Sequence, residues 1–312
     1  MKKIAFLFPG QGSQKVGMGA DLYNEYSSVR ELFDMAEETV RLDLSKICFQ
    51  GPMDRLTATI NLQPALTVVN LAVLDILLKA GVHPHITAGH SLGEYSALYT
   101  ARIVSQESVF SMVMKRGELM HREAQRHNGA MAALIGLDVD QVRAILPAAR
   151  EHGTVSIANH NMLQQIVITG TPRSVQAAAE LASAQGARAV PLNVSGAWHS
   201  ELIRGAQEDF REHVEAIAFN SPAIPLIHNV TADGIDDPAE IKETMVQQLC
   251  SPVRWYDTMN RLMKEAVEVF VEAGPGKVLS GLLRKTVPKS YPCRLYAVND
   301  LKSLEMFIKE VL

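Results

Sequence analysis

Short, wholly apolar runs alternate along the chain with longer stretches of helical periodicity. Ile4 to Phe8 is apolar throughout, as a strand buried on both faces of a parallel sheet requires, and it ends in the turn Pro9-Gly10-Gln11-Gly12-Ser13. Ser27 to Arg41 has its apolar residues at helical spacing. Ala65 to Ala80 reads as a strongly apolar helix, opened by Gln63-Pro64 and closed by Gly81. His85 to Ala88 predicts a strand, Gly89 to Gly93 a turn, Glu94 to Ala101 a helix and Glu107 to Arg126 a longer one. Strands alternating with helices predict an α/β fold with a mainly parallel sheet.

The rhythm then changes. Met131 to Ile135 predicts a strand, Val139 to Ala149 a helix, Val155 to Ala158 and Gln165 to Thr169 two strands, Ser174 to Gln185 a helix, and Ala187 to Leu192 a last strand. This β-α-β-β-α-β order matches the ferredoxin-like pattern. It predicts a small subdomain over 128–196, inserted into a large α/β-hydrolase-like subdomain made of 1–127 and 197–312. The larger pattern resumes with a helix over Glu201 to Ala216, a strand over Ile224 to His228 and a helix over Pro238 to Leu249. A strand over Val267 to Glu272 follows, ending in Gly274-Pro275-Gly276, and an amphipathic helix over Leu301 to Leu312 closes the chain.

Composition narrows the class. With 47% hydrophobic and 21% charged residues in 312, the chain can bury a sizeable core. A formal net charge of −4 gives no electrostatic footprint for nucleic acid. The three cysteines (Cys48, Cys250, Cys293) are odd in number and widely spaced, which argues against a disulfide framework and against a zinc site. The apolar start is too short for a signal peptide and is broken by Pro9-Gly10. No stretch reaches the ~18 apolar residues that span a bilayer. A cytoplasmic protein without membrane contact or bound metal is expected.

The chemistry centres on Gly89-His90-Ser91-Leu92-Gly93, a G-x-S-x-G run between a predicted strand and a predicted helix. Such a turn presents the serine hydroxyl at a sharp corner and aims the following backbone N–H at a developing oxyanion. The alternative is a serine that merely caps a helix. A serine nucleophile needs a base. Among ten histidines, His199 stands out: it follows Ser195-Gly196-Ala197-Trp198 at the predicted junction between subdomains, where pockets form. His152, His213 and His228 have no notable neighbours in sequence, and His83 and His85 read as surface residues. No acidic residue presents itself as the third member of a triad.

Six motifs, in order, resemble the malonyl-CoA:acyl carrier protein transacylases and the related acyltransferase domains of polyketide synthases. They are Phe8-Pro9-Gly10-Gln11-Gly12-Ser13-Gln14, Gly89-His90-Ser91-Leu92-Gly93-Glu94, Arg116-Gly117-Glu118-Leu119-Met120, Gly196-Ala197-Trp198-His199-Ser200, Gln248-Leu249-Cys250-Ser251-Pro252-Val253 and Gly274-Pro275-Gly276-Lys277. The resemblance runs essentially end to end. It implies that Ser91 is acylated, that His199 is its base, and that the N–H groups of Gln11 and Leu92 form the oxyanion hole. Arg116 would bind the malonyl carboxylate, and the backbone carbonyl of Gln248 would orient His199. Arg116 would otherwise read as a solvated helix charge. A guanidinium fork suits a carboxylate, and an acetyl group would leave it unpaired at a cost of roughly a few kcal/mol.

The resemblance also points to acyl specificity at Trp198, Met120 and Asn159. Leu92 resembles malonyl-preferring members, whereas methylmalonyl-selective ones more often carry Gln there. Trp198 stands where Phe is usual, and a larger ring disfavours branched acyl groups. Asn159-His160-Asn161 departs from the family's Asn-Phe-Asn at His160. The implied reaction is ping-pong transfer of malonyl from malonyl-CoA to the phosphopantetheine thiol of acyl carrier protein in fatty acid synthesis, with no cofactor beyond these carriers. The acidic carrier would dock transiently on cations such as Lys115, Arg188, Arg204, Lys277 or Arg284, and a monomer is expected. Alternatives are an acyltransferase serving a polyketide synthase or a malonate decarboxylase, a serine esterase, and an inactive docking module.

Overall fold

The computed structural model describes residues 2–311. Among the described residues nine strands form two sheets. In the large sheet β1 (Ile4–Phe8), β2 (Ile86–Gly89), β7 (Leu226–Ile227), β8 (Val269–Ala273) and β9 (Arg294–Val298) lie in the order β7-β2-β1-β8-β9, every pair parallel. In the small sheet β3 (Ala130–Ile135), β4 (Val155–Met162), β5 (Gln165–Gly170) and β6 (Arg188–Pro191) lie in the order β4-β5-β3-β6, every pair antiparallel. Taking β3 to β6 as first to fourth, this is the 4-1-3-2 order of a ferredoxin-like unit. The α/β class and the ferredoxin-like insertion read from the sequence are both present.

The all-apolar strands are explained by two-sided burial. Phe6 and Phe8 of β1 enter one core cluster, with the helices Thr59–Lys79 and Gln106–Arg126; Ala5 and Leu7 enter another, with Trp255, Met259 and Phe270. The small sheet is likewise two-sided. Leu134, Ile166 and Ile168 pack on its own helices Val139–Arg150 and Pro172–Ala184. Met131, Ala133 and Val167 join the large core. Both ends of the small unit meet: a Cβ on Gly129 would lie 2.3 Å from the amide nitrogen of Ala197.

Several expected bounds shift. The apolar helix runs Thr59–Lys79, so Pro64 lies inside it rather than opening it. This helix is long and apolar enough to cross a membrane, contrary to the expectation from sequence, but 83% of its apolar window is buried in the fold. β4 extends to Met162, because Val253 adds a parallel bridge beside Asn159. The helix expected from Glu201 breaks at Arg204 into a 3-10 turn, Glu201–Ile203, and a helix, Gly205–Glu215. The strand expected over Ile224 to His228 keeps only Leu226–Ile227. The closing helix runs Leu301–Val311; its expected last residue, Leu312, lies outside the described residues. The helices Trp255–Lys264 and Val278–Thr286 and strand β9 were not read from the pattern.

Candidate active site

The carboxyl ends of β1, β2 and β7 lie side by side and deliver the loops of the site, as crevices in parallel sheets generally do. β2 runs into Ser91, which holds φ of 51°. A non-glycine residue there costs about 1–3 kcal/mol, a strain that exposes its hydroxyl at the corner. Packing leaves the corner no choice. A Cβ on Gly93 would lie 2.0 Å from the Phe8 carbonyl oxygen, and one on Gly89 would lie 2.0 Å from the Gly93 carbonyl carbon. β7 delivers Asn229, whose Oδ1 accepts from the Ser91 amide (2.6 Å) and whose Nδ2 donates to the Gly89 carbonyl (2.6 Å).

Ser91 Oγ lies 2.8 Å from His199 Nε2. His199 Nδ1 lies 3.0 Å from the carbonyl oxygens of both Gln248 and Ser251. Carbonyls only accept, so Nδ1 carries the proton and Nε2 presents its lone pair to Ser91. Burial, then the Arg116 charge, push His199 down to about 3, while the carbonyl bonds pull the other way. It is therefore neutral at physiological pH and able to take a proton from Ser91 Oγ.

Arg116 is 1% exposed and does not behave as a solvated helix charge. Its Nη1 donates to Gln63 Oε1 (2.7 Å), and its Nη2 to Ser91 Oγ (3.1 Å) and Gln248 Oε1 (3.2 Å). Its Nε has no partner, and no carboxylate pairs with it among the described residues. Burial lowers its pKa. A buried guanidinium held by neutral oxygens and by the Tyr95 ring, whose centroid lies 5.5 Å from its Cζ, is poised for an anion.

Gln11 and Leu92 face the same cavity, of about 100 Å³. Among the described residues neither backbone N–H donates to a protein acceptor. Trp198, Met120 and Asn159 line the cavity too, with Met131, Leu192 and Val194. His160 instead stacks on Tyr256, with ring centroids 4.9 Å apart, while Asn161 Oδ1 meets His90 Nε2 at 2.9 Å. His90 lies in the cavity wall, and burial lowers its pKa.

Sequence reading missed Gln63, Glu94, His228 and Asn229. His228 has a neighbour after all: its Nδ1 lies 2.8 Å from Glu94 Oε1, both side chains fully buried. Polar His228-Asn229 directly after an apolar strand, on the same sheet edge as Ser91, was the available signal.

A doubly buried parallel sheet with a serine elbow, a carbonyl-oriented histidine and a free buried arginine defines a serine acyl-transfer site. A family model described as an acyl transferase domain matches residues 5–306. The chain is 45% identical over 311 residues to the malonyl CoA-acyl carrier protein transacylase of Bacillus subtilis, covering 99% of this chain and 97% of that protein. Two solved structures are also similar. One is an acyl carrier protein S-malonyltransferase of Vibrio cholerae, with TM-score 0.92, 38% identity, and coverage of 97% of this chain and 99% of that one. The other is a malonyl-transacylase in complex with its type II polyketide synthase acyl carrier protein, with TM-score 0.94, 35% identity and 99% coverage of both chains. The chain belongs to the acyl transferase family and, within it, to the malonyl-CoA:acyl carrier protein transacylases.

Proposed function

We propose that the protein transfers malonyl from malonyl-CoA to the phosphopantetheine thiol of acyl carrier protein, supplying fatty acid synthesis through a malonyl-serine intermediate. The observation that carries this reading is the buried Arg116 fork beside the Ser91–His199 pair, with no carboxylate partner of its own among the described residues. Ser91 Oγ attacks the thioester carbonyl and passes its proton to His199 Nε2. The Gln11 and Leu92 amides hold the oxyanion. The coenzyme A sulfur leaves with the proton from His199. The carrier thiol then gives its proton to His199 and attacks the acyl-serine, and Ser91 regains its proton. Arg116 holds the acyl carboxylate throughout, which fixes the carbonyl over Ser91.

Met120, Met131, Leu192, Val194 and Trp198 give the cavity an apolar wall beside its polar groups. Trp198 and Met120, with Asn159, would limit the acyl group to an unbranched one. Coenzyme A and phosphopantetheine enter with the substrates, and the chemistry calls for no resident cofactor. The reading is of a cytoplasmic monomer. Lys277 and Arg284, beside an open cleft of about 180 Å³, are candidates for docking an acidic carrier, with Lys115, Arg188 and Arg204. A second reading, service to a polyketide carrier, is favoured by the similarity to the polyketide complex.

Intact mass spectrometry after a denaturing quench tests the reading. Malonyl-CoA alone should leave one malonyl adduct, absent in Ser91→Ala and discharged by holo acyl carrier protein. No adduct, or one that survives Ser91→Ala, overturns it. Competition between fatty acid and polyketide carriers for the discharge step separates the two readings.

A further inference from the structure

The carboxylate of Glu94, three residues after Ser91, does not touch Arg116 but reaches it through one amide. Glu94 is fully buried, and its oxygens accept from three donors. Oε1 accepts from His228 Nδ1 (2.8 Å) and the Asn229 amide (3.2 Å), and Oε2 from Gln248 Nε2 (2.7 Å). The other end of the Gln248 amide, Oε1, accepts from Arg116 Nη2 (3.2 Å), and Nε2 also donates to the Ser91 carbonyl (2.9 Å). One amide therefore spans an anion and a cation, with its dipole aligned between them. We propose that Glu94 is a positioning residue for acyl selectivity: through Gln248 it fixes Arg116 and balances its charge at one remove, leaving the guanidinium fork free for the acyl carboxylate.

The chemistry of the donors requires this arrangement. A buried arginine needs a counter-charge, but a carboxylate placed directly on it would occupy the N–H groups that the acyl carboxylate uses. Neutral amide oxygens hold the guanidinium more weakly and are displaced or shared at smaller cost. The direction of the Gln248 amide is what matters. Glu94 accepts at both oxygens, so it compels Gln248 to offer Nε2 to it and Oε1 to Arg116. A glutamine at 94 cannot accept at both ends. Its NH2 would face either Gln248 Nε2, which turns the Gln248 amide and sets Nε2 against Arg116, or His228 Nδ1 and the Asn229 amide, which forces the other His228 tautomer and leaves the Asn229 N–H without an acceptor. The same carboxylate reaches the elbow through Asn229 and Gln248, so some loss common to all acyl groups is built in. Selectivity is the separate readout.

This inference rests on the malonyl-transfer reading. The test is the single-turnover rate of Ser91 acylation by malonyl-CoA and by acetyl-CoA in the wild type, Glu94→Gln, Gln248→Met and the double variant. Gln248→Met removes the amide and keeps the backbone carbonyl that accepts from His199. Each single variant should lower the malonyl-to-acetyl rate ratio by about ten-fold or more, the range expected for one charge-assisted hydrogen bond. The double variant should lower it no further than the more severe single one, because both changes cut the same link. A ratio that stays unchanged while both rates fall, as misfolding or a purely structural role would produce, overturns the inference, and so do ratio losses that multiply in the double variant. Absence of a malonyl adduct in the wild type overturns the malonyl-transfer reading and this inference with it; an unchanged ratio overturns only the inference.

Discussion

At the scale of single residues, His199 is held neutral by its surroundings rather than oriented by a carboxylate. Its Nδ1 meets two carbonyls, and burial ahead of the Arg116 charge depresses it to about 3. The unfolded chain would bind a proton at this histidine near pH 6.5, and the folded chain would not. Stability from this group is therefore fully present above pH 6.5 and is lost as the pH falls toward 3. By pH 4 the loss is about 3 kcal/mol. Between pH 7 and pH 4 the wild type should lose about that much more stability in urea than His199→Gln, which has no proton to refuse; equal losses would contradict the neutral assignment. Ser91 and His199 were legible in sequence because their motifs name them. Gln63 and Glu94 were not, since each draws its role from side-chain partners at least 53 positions away in the chain, and pattern at one position carries no trace of such pairing; Asn229 left only the signal of a polar pair closing an apolar strand.

At the scale of elements, the site depends on how closely two turns approach. Gly10, after β1, faces the elbow after β2: a Cβ there would lie 2.3 Å from the His90 carbonyl oxygen and 3.6 Å from the Leu92 amide nitrogen. The first contact is with backbone, so neither side can yield by rotating a side chain. Gly10→Ala must push the two turns apart and separate the Gln11 and Leu92 amides. Removing one oxyanion donor costs about 10²-fold in turnover. Gly10→Ala should show a loss of about that size in kcat with a smaller change in KM for malonyl-CoA. Gly281→Ala, where nothing lies within 4 Å, should be silent in the same assay. A fall in KM-limited binding alone would argue against the separation. The strands behind these turns were readable because two-sided burial writes an unbroken apolar run. The bounds that failed, Pro64 inside a helix and β4 lengthened by Val253, were set by tertiary packing that overrides local signals.

At the scale of the whole molecule, the unit built from β3 to β6 leaves and re-enters the large unit at one point, Gly129 against Ala197, which invites the view of an independent module. The burial pattern argues otherwise. One face of the small sheet covers its own helices through Leu134, Ile166 and Ile168. The other face sends Met131, Ala133 and Val167 into the same cluster as Leu119, Met120 and Trp198. Val253 of the large unit extends β4 by a parallel bridge, through bonds from His160 N to Val253 O (2.9 Å) and from Val253 N to Ala158 O (2.8 Å). The Ser251 carbonyl that orients His199 is two residues from that bridge. Opening the small unit would expose a shared apolar layer and release the loop whose Ser251 carbonyl meets His199, so the two units should unfold together. Fluorescence of Trp198 and Trp255, both buried, and far-UV circular dichroism should report one coincident urea transition, with Ser91 acylation lost at the same midpoint. An earlier fluorescence or activity transition, with most helical signal retained, would show that the small unit opens by itself and that the cavity wall is a moving part rather than a continuation of the core.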